Sequence, residues 1–183
     1  MSIQEEAKYY LEKNKNKILE QIKFISGQNH ETFDETKKRI FDEFTNFDVT
    51  NHEKTIVYKG KKYNISAIAD SIKNNEKETL LCFVLKQDEF VLLQQIKGNQ
   101  QSCSLSLADS IKFNYAIAKA QLPFFIIHNH PFVCKATFSG ADIPTFLNLK
   151  ELADEFKIDL LDFAVVTKFD YISGLRFIQE YKQ

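Results

Sequence analysis

Three side chains that can bind a metal ion lie close together in the stretch IIHNHPFVCKATFSGAD, residues 126–142. His128 and His130 are one residue apart, and residues i and i+2 of a β-strand point to the same side, about 6.6 Å apart. Pro131 then ends the strand, because it has no N–H to donate to the sheet. Two imidazoles placed in this way can bind one ion, and Asp142 can supply a third ligand if the chain turns back.

Two histidines and a carboxylate, with a fourth position left for water, form the pattern of a catalytic zinc site. Zinc lowers the pKa of a bound water to about 7 and polarises a carbonyl group. Helix capping is the plainer alternative, because Ser139 to Asp142 fit the S-x-x-acid pattern of a helix start, with Pro144 in the first turn. Capping does not explain two histidines at the end of an apolar strand, so we favour the metal site.

The elements that would position these residues follow from local patterning. PFFII, residues 123–127, is a short β-branched and aromatic run, which is typical of a strand buried on both faces. The strands TLLCFVL and EFVLLQQI and a helix from about Leu107 to Ala120 are predicted before it. A helix ending near Phe156 and the strands IDLLDFAVVT and YISGLRFI are predicted after it. Residues 76–183 are therefore predicted to form a metal-binding catalytic domain of class α/β (α+β), a mixed β-sheet flanked by helices.

Residues 1–75 have a different residue pattern. Residues 1–50 are predicted to form a helical hairpin appendage, with one helix from Glu5 to about Phe24 and a second with an apolar stripe from Phe33 to Phe47. Residues 51–75 are predicted to form a small β-hairpin and a short helix that link the two parts. We interpret the helices as a packing or dimerisation element, so a homodimer through them is an expectation.

Composition argues against several classes of function. The formal net charge is -1 and the pI is near 6.4, so the chain lacks the basic field that concentrates nucleic acid. No apolar run approaches the length needed to span a membrane, and MSIQEEAKYY is unlike a secretory signal, so a cytoplasmic location without membrane association is expected. The three cysteines are widely spaced and are expected to be free thiols. Cys134 as a nucleophile or metal ligand is a weaker alternative.

The motif resembles the metal motif of the JAMM (JAB/MPN+) metalloproteases, in which a glutamate on an early strand precedes H-x-H-P, a short loop and S-x-x-D. The -IIHNHP- form and the segment from Leu160 to Leu175 are most similar to the bacterial RadC-like JAB branch. The resemblance extends from about Glu76 to Phe177. It implies a JAB/MPN fold, which is cytidine-deaminase-like, and zinc-dependent hydrolysis of a peptide or isopeptide amide. The implied partner is a protein or peptide substrate, including a ubiquitin-like modifier.

The resemblance also implies roles for the matching residues. His128, His130 and Asp142 would bind Zn2+. Ser139 would donate a hydrogen bond to the tetrahedral intermediate or to the catalytic water.

The family glutamate is a general base that takes a proton from the water and passes it to the leaving amine. Glu78, at the start of TLLCFVL, is our residue for this role, because a carboxylate entering an apolar strand is costly unless something pairs or uses it. Glu76, two residues earlier on the same face, is the substitute. A solvated charge in the stretch KNNEKE is the alternative for both.

Two departures from the RadC-like branch bear on function. That branch usually has a Gly- and Pro-rich loop after the proline, whereas this chain has FVCKATF, so substrate specificity does not carry over. RadC proteins begin with helix-hairpin-helix motifs that bind DNA through Gly-x-Gly turns, but residues 1–75 contain only Gly27 and Gly60. The rival hypotheses are a non-catalytic binding or scaffold module of the same fold and a DNA-associated RadC-like protein.

Overall fold

The computed structural model describes residues 1–47, 53–102 and 106–181. Within this part of the chain, the helices are α1 (Ile3–Lys13), α2 (Lys15–Asn29), α3 (Phe33–Thr45), α4 (Ser66–Ile72), α5 (Leu107–Ala120), α6 (Asp142–Phe156) and α7 (Gly174–Tyr181). The strands are β1 (Thr55–Tyr58), β2 (Lys61–Asn64), β3 (Thr79–Lys86), β4 (Glu89–Lys97), β5 (Phe124–Asn129), β6 (Leu160–Val166) and β7 (Tyr171–Ser173). The predicted fold class, a mixed sheet with helices against it and helices at the N-terminus, is confirmed.

The central sheet has the strand order β4-β3-β5-β6-β7. Strand β5 is antiparallel to β3 and parallel to β6, which makes the sheet mixed. All six residues of β5 are buried, as the continuous apolar run PFFII predicts for a strand covered on both faces. The residues that end β5 are therefore surrounded by protein on both sides.

The two faces of β5 contact different layers, because side chains alternate along a strand. Phe125 and Ile127 face the layer formed by the β1–β2 hairpin and α4. Phe124 and Ile126 face the layer formed by α5 and α6, through Phe113, Ile117, Phe146 and Leu149. His128 continues this second row, so it points toward the helix that begins at Asp142.

The N-terminal segment forms three helices rather than the expected hairpin of two. The first expected helix is divided at Asn14, which leaves helical geometry at φ -112° and ψ 17°, and its side-chain amide donates to the Tyr10 carbonyl. Helix α2 then continues past Phe24 to Asn29, where His30 ends it in the left-handed conformation. Ser2 and Thr32 cap α1 and α3 with reciprocal bonds to glutamates three residues later.

The expectation of two full strands at the C-terminus is wrong for the second one. Strand β7 ends at Ser173, and α7 begins at Gly174. The Ser173 hydroxyl and the Asp162 carboxylate favour the start of this helix. Ser173 Oγ accepts a hydrogen bond from the Arg176 N–H, and Asp162 Oδ1 accepts one from the Leu175 N–H. A Cβ atom on Gly174 would lie 2.6 Å from the Phe163 carbonyl oxygen, so only glycine fits at this junction.

The β1–β2 hairpin and α4 have the predicted positions. Lys59 and Gly60 form the turn with positive φ angles of 48° and 77°.

The predicted boundary between residues 50 and 51 lies outside the described residues, and the division of the chain into three parts stays a prediction. Among the described residues, no helix has the length and apolar content that crossing a membrane requires.

Candidate metal centre

The register of β3 and β5 sets the positions of the two histidines and Glu78. Leu80 lies opposite His128 in this antiparallel pair. Following the same register two residues further places Glu78 opposite His130, just beyond the paired ends of both strands. Because side chains alternate, all three groups point to the α5–α6 face of the sheet. A register slip of one residue would send Glu78 to the opposite face.

Four ligand atoms, one from each of Glu78, His128, His130 and Asp142, lie within 4.8 Å of one another. The Nε2 atoms of the two histidines are 3.0 Å apart. Asp142 reaches both rings, with its Oδ1 atom 3.0 Å from His128 Nε2 and its Oδ2 atom 3.3 Å from His130 Nε2. The structure therefore brings together the three predicted metal ligands and the predicted glutamate.

The start of α6 carries Asp142 and Ser139 to the histidines. Asp142 Oδ2 accepts a hydrogen bond of 2.6 Å from the Ser139 N–H, and Ser139 Oγ accepts one of 3.3 Å from the Asp142 N–H. This reciprocal pair has the S-x-x-D pattern of a capping box, but it closes the turn before α6, whose N-cap residue is Ala141 and has no side-chain cap bond. This turn and metal binding are compatible, because Asp142 Oδ1 is left facing His128 Nε2 while Oδ2 accepts from the Ser139 N–H. Ser139 is half-buried and lines the cavity beside the centre.

The charge state of Asp142 suits a ligand. Burial raises the pKa of the Asp142 carboxyl, but the neighbouring imidazoles of His128 and His130 lower it by charge and hydrogen bonding. The effect of the two imidazoles is larger than the effect of burial, so the pKa of the Asp142 carboxyl lies well below its usual range. Asp142 is therefore an anion near neutral pH, as a metal ligand must be.

Glu78 and Glu76 have different environments. Glu78 is buried, and its Oε1 atom lies 4.0 Å from His128 Nε2, a separation that exceeds a hydrogen bond. Glu76 is exposed and forms an ion pair of 2.7 Å with Lys17 of α2. Of the two predicted carboxylates, only Glu78 belongs to the cluster that could hold a metal ion within the described residues.

Asn129, between the two histidines, is a positioning residue that sequence reasoning missed. It is fully buried on the opposite face from the histidines. Its Oδ1 atom accepts a hydrogen bond of 2.7 Å from the Thr79 N–H, and its Nδ2 atom donates to the Asn75 carbonyl at 3.0 Å. Asn129 thereby ties the end of β5 to the chain on both sides of Glu78. The sequence feature that could have indicated this role is an asparagine directly after an apolar strand. A buried amide is nearly always hydrogen-bonded, so its position predicts bonding partners.

The loop FVCKATF, residues 132–138, is turned toward the N-terminal helices. Phe132 and Cys134 are buried in the cluster that Ile18, Ile22 and Phe44 form. Phe132 has a φ of 61°, which is a strained conformation for an aromatic residue. Burial raises the pKa of the Cys134 thiol to about 12, so Cys134 is not a nucleophile at neutral pH. Cys82 and Cys134 are free thiols as expected, and Cys103 lies outside the described residues.

Hydrogen bonds fix the far end of this loop to the turn between β6 and β7. Thr167 Oγ1 donates to the Cys134 carbonyl at 2.6 Å. Asp170 Oδ2 accepts from the Ala136 N–H at 2.9 Å, and its Oδ1 atom accepts from the Tyr171 N–H. The loop is thus attached on one side to the N-terminal helices and on the other to the sheet.

The cluster lies in a cavity of about 650 Å³, within the size range of ligand sites. Its walls come from β5, from α5 and α6, from loop 132–138 and from α2 and α3. The four clustered residues line this cavity, and all but His130 are buried, so the centre is accessible to a ligand that enters the cavity.

The donor set fits a zinc ion. Ligands about 2.0–2.2 Å from a tetrahedral zinc lie roughly 3.3 Å from one another, and the separations of 3.0 and 3.3 Å among His128, His130 and Asp142 are close to this value. The Nδ1 atom of His128 is buried and has no hydrogen-bond partner among the described residues. Packing on the Phe163 ring, at a centroid distance of 5.3 Å, therefore orients this imidazole.

The model of the RadC-like JAB domain matches residues 58–177. The chain belongs to the RadC-like JAB domain family. The match begins at the last residue of β1 and includes β2, α4, all five strands of the central sheet and the four clustered residues. No curated protein matches the chain.

Proposed function

We propose that this RadC-like JAB protein is a zinc-dependent metallohydrolase of the JAMM type that cleaves a peptide or isopeptide amide. The observation that carries the proposal is the convergence of Glu78, His128, His130 and Asp142 within 4.8 Å at the bottom of a cavity. His128, His130 and Asp142 would hold the ion, which would supply a Lewis acid and an activated water when bound.

The remaining chemistry belongs to side chains of the chain itself. Glu78 takes a proton from the attacking water and passes it to the leaving amine, and its place in the cluster beside His128 supports this role. The Ser139 hydroxyl donates a hydrogen bond to the oxyanion of the tetrahedral intermediate. The nearby hydrogen bond from the Asp142 N–H to Ser139 Oγ supports this role, because it leaves the hydroxyl proton available.

The test begins with metal content. Purified protein should contain about one zinc per chain, and His130→Ala should lose it because one of three ligands is removed. Zinc-free wild-type protein after expression in zinc-supplemented medium would contradict the proposal.

Glu78→Gln then separates metal binding from catalysis. The variant should keep zinc and should lose at least about 10²-fold in kcat on fluorogenic peptide or isopeptide libraries, because an amide cannot accept the proton. Glu76→Gln is the matched control, since Glu76 pairs with Lys17, and it should retain wild-type activity. Equal losses in both variants, or no loss in Glu78→Gln, would assign the proton transfer elsewhere. A zinc-loaded protein that binds duplex DNA with a steep salt dependence and cleaves no peptide would favour the DNA-associated rival.

A further inference from the structure

We propose that the N-terminal helices α1, α2 and α3 control metal binding. They hold the loop 132–138, which joins the two histidines to Asp142, so docking of the helices and binding of the ion stabilise each other. This inference rests on the proposed function for the presence of a metal ion. It goes beyond that function because the three helices precede residues 58–177, which match the family, and contain none of the four clustered residues.

Loop 132–138 sets how the third ligand meets the first two. His130 precedes the loop and Asp142 follows it, yet their Nε2 and Oδ2 atoms are 3.3 Å apart. The His130 N–H donates to the Val166 carbonyl at 3.0 Å, so the sheet fixes the chain on the near side of this histidine. Beyond His130, the path of the loop determines where Asp142 lies. Ordering such a segment costs conformational entropy, so contacts that fix the loop favour the assembled centre.

Phe132 is the first anchor of the loop. Its ring is buried, together with Cys134, in the apolar cluster that α1, α2 and α3 form. Its φ of 61° is disfavoured for a residue with a side chain, so burial of the ring keeps the loop in this conformation. Only Pro131, whose own φ is fixed by its ring, separates Phe132 from His130. A displacement of the Phe132 ring is therefore transmitted to the histidine.

The turn between β6 and β7 is the second anchor, and the same helices hold it. Thr167 Oγ1 donates to the Cys134 carbonyl at 2.6 Å. Asp170 Oδ2 accepts from the Ala136 N–H at 2.9 Å. Phe169 lies between these two anchoring residues, and its ring contacts three rings of the N-terminal segment, those of Tyr10, Phe44 and Phe47. The helices thus fix the loop directly at its start and indirectly through this turn.

Both anchors depend on the same three helices, which makes the coupling reciprocal. An ion needs all its ligands in place, so it binds better when the loop is held. Undocking of the helices must weaken metal binding by the same factor by which loss of the metal weakens docking. Residues that touch neither the ion nor its ligands should therefore change the affinity for zinc.

The zinc affinity of full-length variants tests this coupling. Each protein is titrated against a fluorescent zinc chelator, and its Kd is compared with that of wild type. Phe132→Ala and Phe44→Ala should each weaken zinc binding about fivefold or more, the lower end of couplings of this kind. Phe44 is buried on α3 and does not line the cavity, so its effect has to pass through the helices. Phe132→Leu should stay within about twofold of wild type, because it keeps a large apolar side chain in the cluster.

Ile65→Ala is the control for stability alone. Ile65 is fully buried in the layer of the β1–β2 hairpin and α4, on the other face of the sheet. Its truncation should lower the free energy of unfolding as a buried aliphatic truncation does. The zinc Kd of this variant should equal that of wild type at a temperature at which all variants are folded.

Hydrogen exchange measures the reciprocal effect. Zinc should slow amide exchange in α2 and α3 about fivefold or more in wild type and in Ile65→Ala, and clearly less in Phe132→Ala. Equal zinc Kd values for wild type, Phe132→Ala and Phe44→Ala would overturn the proposal. So would an equally large loss of affinity in Ile65→Ala, or exchange in the helices that does not respond to zinc. Neither measurement uses cleavage, so a zinc-binding protein that cleaves no peptide would contradict the proposed function alone.

Discussion

Phe132 combines two opposing energies at one residue. Its φ of 61° costs about 1–2 kcal/mol in a residue with a side chain, whereas its ring is 97% buried under the N-terminal helices. Truncation of a buried aromatic side chain to alanine costs roughly 3–5 kcal/mol, so packing exceeds strain. The loop therefore keeps a conformation that suits glycine because the helices hold the ring in place.

This balance predicts different effects of two substitutions. Phe132→Ala removes the packing and keeps the strain, so it should lower the free energy of unfolding by about 3–5 kcal/mol. Phe132→Gly removes both, and it should be about 1 kcal/mol less destabilising than Phe132→Ala. Urea unfolding of the two variants measures the difference. A glycine variant that is less stable than the alanine variant would show that the backbone at this position is unstrained.

Asp162 gives a pH dependence at a second residue. Burial raises the pKa of this carboxyl, and hydrogen bonds from Ser173, Leu175 and Phe163 only partly offset the rise. A carboxyl whose folded-state pKa lies above its unfolded value binds protons more tightly when folded, so stability falls as pH rises between the two values. The stabilisation by the protonated Asp162 carboxyl is complete below about pH 4, which is the pKa in the unfolded state. It is lost as the pH rises through the pKa in the folded state.

Asp162→Asn should remove this dependence, because the amide is neutral and can still accept from the Leu175 N–H. The free energy of unfolding of wild type minus that of the variant should therefore decrease between pH 4.5 and 7.5. Denaturant titrations at four pH values measure it. An increasing difference would mean that the ionised carboxylate is stabilised, not destabilised, in the folded protein.

At the scale of elements, the pairing of β3 with β5 builds the centre. Asn129 fixes the ends of this pair through its bonds to Thr79 and Asn75. Asn129→Ala should keep zinc, because both histidines remain, but should lower kcat by about 10²-fold through displacement of Glu78. KM should change little, since the substrate walls are intact. Steady-state kinetics and metal analysis of the same preparation measure both quantities.

Asn75→Ala is the control for this positioning role. Among the described residues, the Asn75 side chain donates only to Thr79 Oγ1. Asn129 donates to the Asn75 backbone carbonyl, so the link from β5 persists in this variant. Its kcat should remain near the wild-type value. Equal losses in the two variants would indicate a general loosening of β3 instead of a specific effect of Asn129.

Elements with strong local signals were predictable, whereas features set by distant contacts were not. The buried run of β5, the caps of α3 and the spacing of His128, His130 and Asp142 lie within short stretches of sequence. Tyr10, whose carbonyl accepts from the Asn14 side chain where the first helix is divided, packs on Phe44 and Phe169, which are distant in sequence. The start of α7 depends on Asp162, which lies twelve residues before Gly174. The role of Asn129 was not predictable, because its hydrogen-bond partners lie about 50 residues away in the sequence.

At the scale of the whole molecule, a metal ion would join parts that come from separate regions of the chain. Its ligands lie at the end of β5 and at the start of α6, and Glu78 precedes β3. Zinc that binds only the folded protein should raise the free energy of unfolding by about 4 kcal/mol at a free concentration of 1,000 times Kd. Chelation should therefore lower the Tm of wild type and leave that of His130→Ala unchanged. Thermal scans with and without EDTA measure this, and an equal response of both proteins would contradict a role for His130 as ligand.

The central position of β5 has a consequence for the order of events during synthesis. Its antiparallel neighbour β3 is made before it, but its parallel neighbour β6 is made only after α6, and β6 fills the other edge of β5. Parallel pairing across a helical connection forms slowly compared with local structure. A nascent chain therefore presents both histidines before the strand that supports them exists. If the centre binds a metal ion, its capture by the native geometry is then expected to be a late event that follows completion of the sheet.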